Sequence, residues 1–263
     1  MTVSLIIATY NWPTALELTL MSAMQQSRLP EEIIIADDGS TEETKILVDK
    51  FKAISPVPVK HVWHEDEGFR LAKIRNRAIA ASTGDYVIQI DGDIIMHPDF
   101  VKDHVDFARR GSYVSGSRVN MDEALSKHLQ ESKSTQVSVF TKGTSNFLNG
   151  LHLPFLSRFQ ENYRKDDLYY VRGCNMAFWR DDLVKVNGYN EALQGWGRED
   201  NEIACRLNNI GNVRRIAKFR AIEFHQYHHE RSRDSLSKND DLLHRTIDEG
   251  LTRCEIGLDQ YLS

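Results

Sequence analysis

Cysteine is scarce in this chain. Cys174, Cys205 and Cys254 are the only three in 263 residues. Their odd number and wide spacing exclude a disulfide framework and a CxxC metal site, so a reduced, cytoplasmic setting is expected. No apolar run approaches the roughly 18 residues needed to span a bilayer. The opening MTVSLIIATYNWP lacks both the basic region and the long apolar stretch of a signal peptide. Positive charge is not in excess either. A formal net charge of −5 and a pI near 6.1 argue against a nucleic-acid partner, whose binders are basic. Internal repeats, low-complexity tracts and clean linkers are also missing. With 41 % hydrophobic and 27 % charged residues, there is enough apolar matter for the core of one large soluble domain.

The first hundred residues alternate strand and helix signals. VSLIIAT (3–9), EIIIAD (32–37), VPVKHVWH (57–64) and DYVIQID (85–91) read as strands. Between them lie helical stretches: TALELTLMSAMQQ, with Asn11 as cap and Pro13 in the first turn, then about 41–53 and 69–82. Continuous apolar strands separated by helices predict an α/β domain with a mostly parallel central sheet flanked by helices. Ligands of such sheets bind beyond the carboxyl ends of the strands. Those ends carry Thr9-Tyr10-Asn11, Asp37-Asp38-Gly39-Ser40 and Asp91-Gly92-Asp93. DDGS alone is an ordinary turn sequence, but three polar or acidic segments converging on one edge point to a ligand.

Asp91 and Asp93 flank a glycine at the end of a greasy strand. Two neighbouring carboxylates repel each other and are costly to desolvate. Glycine lets the backbone turn so that both acids can face one ligand. Hard oxygen ligands suit Mg²⁺ or Mn²⁺, ions that commonly also hold substrate phosphates.

Residues 120–168 break the alternation: a polar helix or loop, then a mixed apolar segment around Phe147–Phe159 without clear period. LYYVRGCNMAFW then reads as a strand, with a helix over about 181–187. Ile203, Leu207 and Ile210 at helical spacing place Glu199 and Asp200 at or near a helix start. Acids there can simply complement the helix dipole. EFHQYHHERSR (223–233) offers His225, His228 and His229.

Five segments in this order and spacing, VSLIIATYN, IIIADDGST, GFRLAKIRNRAI, GDYVIQIDGD and GYNEALQGWGREDNEIACRL, resemble a family 2 glycosyltransferase of the GT-A fold. The second half is similar to the carboxyl-terminal part of animal β1,4-galactosyltransferases and to bacterial chondroitin polymerase. The resemblance covers about residues 1–118 and 169–232. It implies a single nucleotide-diphospho-sugar transferase domain. Residues 1–118 would form its nucleotide-sugar half, 119–168 an insertion, and 169–263 its acceptor-binding and catalytic half.

The resemblance further implies residue roles. Ala8, Thr9 and Tyr10 would line the nucleotide, Asp38 would hydrogen-bond uracil, and Arg75 and Asn76 would meet uridine or support its pocket. Asp91 would contact the ribose side, with Gly92 beneath the diphosphate. Asp93 would ligate Mn²⁺ or Mg²⁺ together with His225, or else His228. Arg172, Gly173 and Asn175 would hold the donor sugar. Trp196 would form a sugar and acceptor platform, Glu199 would bind a sugar hydroxyl, and Asp200 would be the general base. The implied partners are a UDP-sugar donor and a saccharide or lipid-linked saccharide acceptor, and the implied reaction is metal-dependent and inverting.

Other segments have plainer readings. Arg206, Arg214, Arg215, Lys218 and Arg220 read as a solvated helix face and turn, or as contacts for an anionic acceptor or the inner membrane face. Cys174 reads as a packed small residue, and Trp12, Trp63 and Trp179 as packing. A sugar-1-phosphate nucleotidyltransferase would show a glycine-rich, basic loop after the first strand. ATYNWPT contains neither glycine nor a basic residue. A decayed nucleotide-sugar-binding module would have no use for Asp38, Asp91, Asp93, Asp200 and His225 together.

Overall fold

In the computed structural model, which describes residues 1–229 and 234–262, β1 (Val3–Thr9) is buried along its whole length. Only a strand covered on both faces can be so uniformly apolar. α1 (Pro13–Met24), β2 (Glu32–Asp37), α2 (Glu42–Ile54), β3 (Val59–Trp63), α3 (Leu71–Ala81) and β4 (Tyr86–Asp91) follow. They form the expected alternation, with β3, β2, β1 and β4 all parallel. One correction concerns α1. Pro13 opens it, but Trp12 occupies the capping position and Asn11 does not cap. The Asn11 carboxamide instead accepts from the Thr41 backbone N–H at 2.8 Å, tying the first loop to the second.

Beyond β4 come β5 (Ile94–Met96), α4 (Phe100–Phe107), β6 (Ser112–Met121) and α5 (Glu123–Ser132). β7 (Thr144–Ser145), a 3₁₀ turn at Phe147–Asn149 and α6 (Pro154–Ser157) give the insertion its structure. β8 (Asn175–Trp179), α7 (Arg180–Lys185), α8 (Glu199–Asn209), β9 (Val213–His225) and α9 (Leu236–Asp248) complete the order. β8 is shorter than LYYVRGCNMAFW suggested, because 168–174 run as turns along the cavity described below. The sheet order is β3-β2-β1-β4-β8-β6-β9-β5, with β7 on the side of β6. β8 runs antiparallel to both β4 and β6, so the sheet is parallel in its first half and mixed in its second.

Side chains from the two faces of the sheet feed two large apolar clusters, one with α1 and α2 and one with α3 and α8. A smaller cluster joins β5, β6, β9 and α5. β6 and β9 pair in parallel with a break: Gly116 faces Ala217, but Ser117 faces Ile222. Residues 218–221 of β9 therefore bulge out, with Phe219 and Ala221 at positive φ. Past the bulge the ladder resumes and places His225 opposite both Asn120 and Ile94.

The basic stretch is not a solvated face. Arg206 and Arg214 are fully buried. Arg206 pairs with Glu202 and Arg215 with Glu161. Arg214 donates to the carbonyls of Tyr170 and Arg164, and Arg220 to that of Pro154. The guanidiniums of Arg214, Arg215 and Arg220 tie β9 to residues 154–170, whereas Arg206 braces α8 internally and against Val186. Among the described residues no helix is long and apolar enough to cross a membrane.

Candidate active site

The carboxyl ends of β1, β2 and β4 open into a cavity of about 870 Å³. Short backbone bonds hold its floor together: Gly92 N–H donates to the Ala8 carbonyl at 2.7 Å and Asp38 N–H to that of Thr9 at 3.0 Å. Ala8, Thr9, Tyr10, Asp38, Arg75, Asp91 and Gly92 all line this side. Asp38 is buried and oriented by its neighbours. Its Oδ1 is hydrogen-bonded to His64 Nε2 at 2.7 Å, and its Oδ2 accepts from Arg70 N–H at 3.0 Å. Each oxygen keeps a further lone pair for a ligand donor.

Asn76 does not reach the cavity. It is fully buried, its carboxamide donating to the Tyr189 carbonyl and Glu191 and accepting from Tyr189 N–H. Adjacent residues on a helix point about 100° apart, so Arg75 and Asn76 could not share one face of α3. Arg75, itself fully buried, turns inward to the acids. Its Nη1 donates to Asp200 Oδ1 at 2.9 Å and its Nη2 to Asp91 Oδ1 at 3.2 Å.

Asp93 sits where β4 turns into β5. The ladder end of β9 brings His225 Nε2 within 3.6 Å of Asp93 Oδ2, and His228 Nε2 within 3.5 Å. Potential ligand atoms of all three residues lie within 4.8 Å of one another. Burial raises the Asp93 carboxyl and lowers the His225 imidazole, each tending toward neutrality, while their mutual attraction opposes both shifts. Asp93 Oδ1 is buried without a partner. A buried carboxylate oxygen left unsatisfied beside two imidazoles is a donor set that could hold a divalent cation. His225 and His228, the two alternatives the sequence offers, both lie within 3.6 Å of Asp93. His229 lines the cavity as well, whereas residues 230–233 of that histidine-rich stretch lie outside the described residues.

The other wall is the start of α8. Glu199 and Asp200 are its first residues, as the periodicity predicts, and the chain enters through Arg198 at φ +78°. The Asp200 carboxylate packs directly against the Gly173 backbone. A Cβ at Gly173 would stand 1.9 Å from Asp200 Oδ2, so any larger residue there must displace the carboxylate or the loop. Burial raises the Asp200 carboxyl, and the Arg75 charge pulls it back toward ionisation. Glu199 has no such direct partner. Burial, and then the charge of Asp200, push its carboxyl up to about 7. Its Oε2 is buried and unpartnered.

Arg172, Gly173 and Trp196 line the same wall, but Asn175 does not. Asn175 begins β8 with its carboxamide buried, donating to the carbonyls of Ser117 and Ala221 and bonded to His104. It pins the β9 bulge. Two tryptophans also depart from expectation: Trp12 lines the cavity edge-on to His228, and Trp63 is 45 % exposed. Trp179 is buried, as expected. The Cys174 thiol donates to Glu223 Oε1 at 3.0 Å, and burial raises it well above the usual thiol range. That makes it a poor nucleophile.

Arg118, Tyr169 and Glu223 carry no signal in the sequence that would mark them. Arg118 and Tyr169 line the cavity, and Glu223 lies beneath it as a buried acid whose carboxyl burial raises strongly. Arg118 and Glu223 face each other only through the β6–β9 register.

Residues 4–186 match the family profile described as Glycosyl transferase family 2, and residues 154–230 match that described as N-terminal domain of galactosyltransferase. The chain is 26 % identical over 244 residues to the chondroitin synthase of Escherichia coli, covering 86 % of this chain and 34 % of that protein. It is 30 % identical over 226 residues to the hyaluronan synthase of Pasteurella multocida, covering 80 % and 23 %. It thus spans about a quarter to a third of the length of these relatives. S. aureus TarS in complex with UDP-GlcNAc superposes with a TM-score of 0.65 at 16 % identity, over 99 % of this chain and 69 % of that one. A mannosyltransferase from Pyrobaculum calidifontis in complex with GDP-Man and Mn²⁺ gives 0.60 at 20 % identity, over 85 % and 56 %.

Proposed function

The chain belongs to glycosyl transferase family 2, and from that premise we propose that it moves a sugar, with inversion, from a UDP-sugar to a saccharide hydroxyl. One observation carries the reading. A single buried guanidinium, Arg75, joins the proposed base Asp200 to Asp91, two residues from the cation-binding Asp93. Deprotonating and charge-neutralising groups thereby share one cavity.

In the proposed reaction the acceptor oxygen bonds to the anomeric carbon as the bond from that carbon to the diphosphate oxygen breaks. The acceptor proton passes to the Asp200 carboxylate, and UDP leaves. Burial raises the Asp200 carboxyl, and the Arg75 charge opposes that shift, favouring the ionised form a general base requires. Gly173 and Arg75 together fix the carboxylate, so little reorganisation accompanies proton transfer. Glu199, protonated over more of the neutral range than an ordinary carboxyl, can donate or accept a hydrogen bond to a sugar hydroxyl. The Asp38 carboxylate suits the N–H of uracil. Asp93, His225 and His228 would hold Mn²⁺ or Mg²⁺, which when bound supplies positive charge to the departing diphosphate.

Relatives named chondroitin synthase and hyaluronan synthase support a saccharide acceptor and a role in bacterial surface polysaccharide or oligosaccharide synthesis. The testing experiment is UDP release from a panel of UDP-sugars with Mn²⁺ and then with chelator. One donor is expected to be turned over only with metal, and Asp93→Ala to be inactive. Failure of every UDP-sugar to bind or react would sink the reading.

A further inference from the structure

The excursion between α5 and β8 carries an unusual surface. Phe140, Phe155, Phe159 and Leu148 are each more than 60 % exposed, and Phe147 is nearly half exposed. Scattered apolar residues on a surface need no explanation, but five within twenty residues do. Phe140 and Phe147 meet edge to face, and Phe155 and Phe159 stand one helical turn apart on and just beyond α6. Both the 3₁₀ turn and α6 pack on β9, so the apolar side chains point away from a firm base.

Charge selects the occupant. From residue 132 to residue 160 the sequence contains no acid, while Lys133, Lys142 and Arg158 are cationic, in a chain whose net charge is −5. Lys133 pairs with Glu17. Lys142 and Arg158 are exposed and have no acidic partner among the described residues. Arg158 lies over the Phe159 ring at 4.8 Å, placing a cation beside an exposed aromatic face. Phenylalanines flanked by unpaired basic groups match the boundary between acyl chains and anionic headgroups. The chain as a whole carries net negative charge, so an acid-free face with exposed cations is the one favoured to approach such a surface.

We propose that Phe140, Phe147, Leu148, Phe155 and Phe159, with Lys142 and Arg158, dock the protein on an anionic lipid surface. β7 pairs with Asn120 and Met121, the second of which lines the cavity beside the first. Docking therefore holds the mouth of the cavity next to the bilayer. The proposal stands apart from the transferase reading, since it concerns lipid binding alone.

The test is co-sedimentation with phosphatidylcholine vesicles and with mixed phosphatidylglycerol–phosphatidylcholine vesicles. Binding is expected only to the mixed vesicles and should weaken with added salt. F155S/F159S and K142E/R158E are each expected to lower the partition at least about tenfold with unchanged thermal unfolding. Three results would overturn the proposal: no binding to mixed vesicles, binding untouched by both variants, or a lipid-free dimer that both variants dissolve.

Discussion

Arg75 donates one hydrogen bond to Asp200 and another to Asp91 from an almost fully buried side chain. Removing Arg75 leaves two part-exposed carboxylates without their shared partner. Arg75→Ala is therefore expected to lose about 1–3 kcal/mol of stability. In Arg75→Lys, which keeps a charge but not the fork, Asp200 is less well held in its ionised form. The acidic limb of its kcat/KM profile should move to higher pH. Calorimetry reads the first effect and a pH–rate series the second.

Asp200→Asn preserves shape and the contact with Gly173 but cannot take a proton. Transfer to acceptor should fall by about 10²–10⁴-fold, with UDP affinity nearly unchanged. Equal loss of UDP binding by titration calorimetry would show that Asp200 serves the donor pocket instead.

At Gly173 the prediction is steric. The added methyl of Gly173→Ala collides with the Asp200 carboxylate, so the acid must leave Arg75 or the loop must shift. Stability should drop by about 1–3 kcal/mol, and kcat should fall even when UDP binding persists. A variant with wild-type kcat would contradict the claim that this contact aims the base.

Glu199 predicts a pH dependence of known sign. Its carboxyl is raised from 4.5 to about 7 in the folded protein, so the native state binds more protons than the unfolded state between those values. Stability associated with this group is present below about pH 4.5 and is lost as pH rises through about 7. Glu199→Gln removes the buried charge, so its stability relative to wild type should improve between pH 5 and pH 8, by at most about 3 kcal/mol. Thermal unfolding at the two pH values decides it.

His225→Ala and His228→Ala should each weaken Mn²⁺ binding at least about tenfold, since an ion loses one of its few protein ligands. The rise in Tm on adding Mn²⁺ should shrink in both variants. If His228→Ala keeps the full rise, the ion rests on Asp93 and His225 alone.

The parts legible in the sequence are those fixed by local pattern. β1 and β2 have the predicted bounds because a strand buried on both faces is a continuous apolar run between turn residues. The helix start at Glu199 was likewise readable from spacing. Orientation was less so. Arg75 and Asn76 are neighbours in sequence yet face different parts of the molecule, and Asn175 is consumed by the backbone of β6 and β9. The basic stretch misled because charge alone does not reveal that Arg206 and Arg214 are themselves buried and hydrogen-bonded. Arg118, Glu223 and the union of His225 with His228 at Asp93 depend on a β6–β9 register interrupted by a bulge. No local pattern encodes that register.

The same bulge has an evolutionary meaning. Four residues outside the ladder, 218–221, separate the Val213–Ala217 portion of β9 from the portion that delivers His225. A one-residue insertion before the bulge can be absorbed there, while one after it would swing His225 to the opposite face of the strand. Length variation among descendants of this chain should therefore be tolerated on the first side of the bulge and purged on the second.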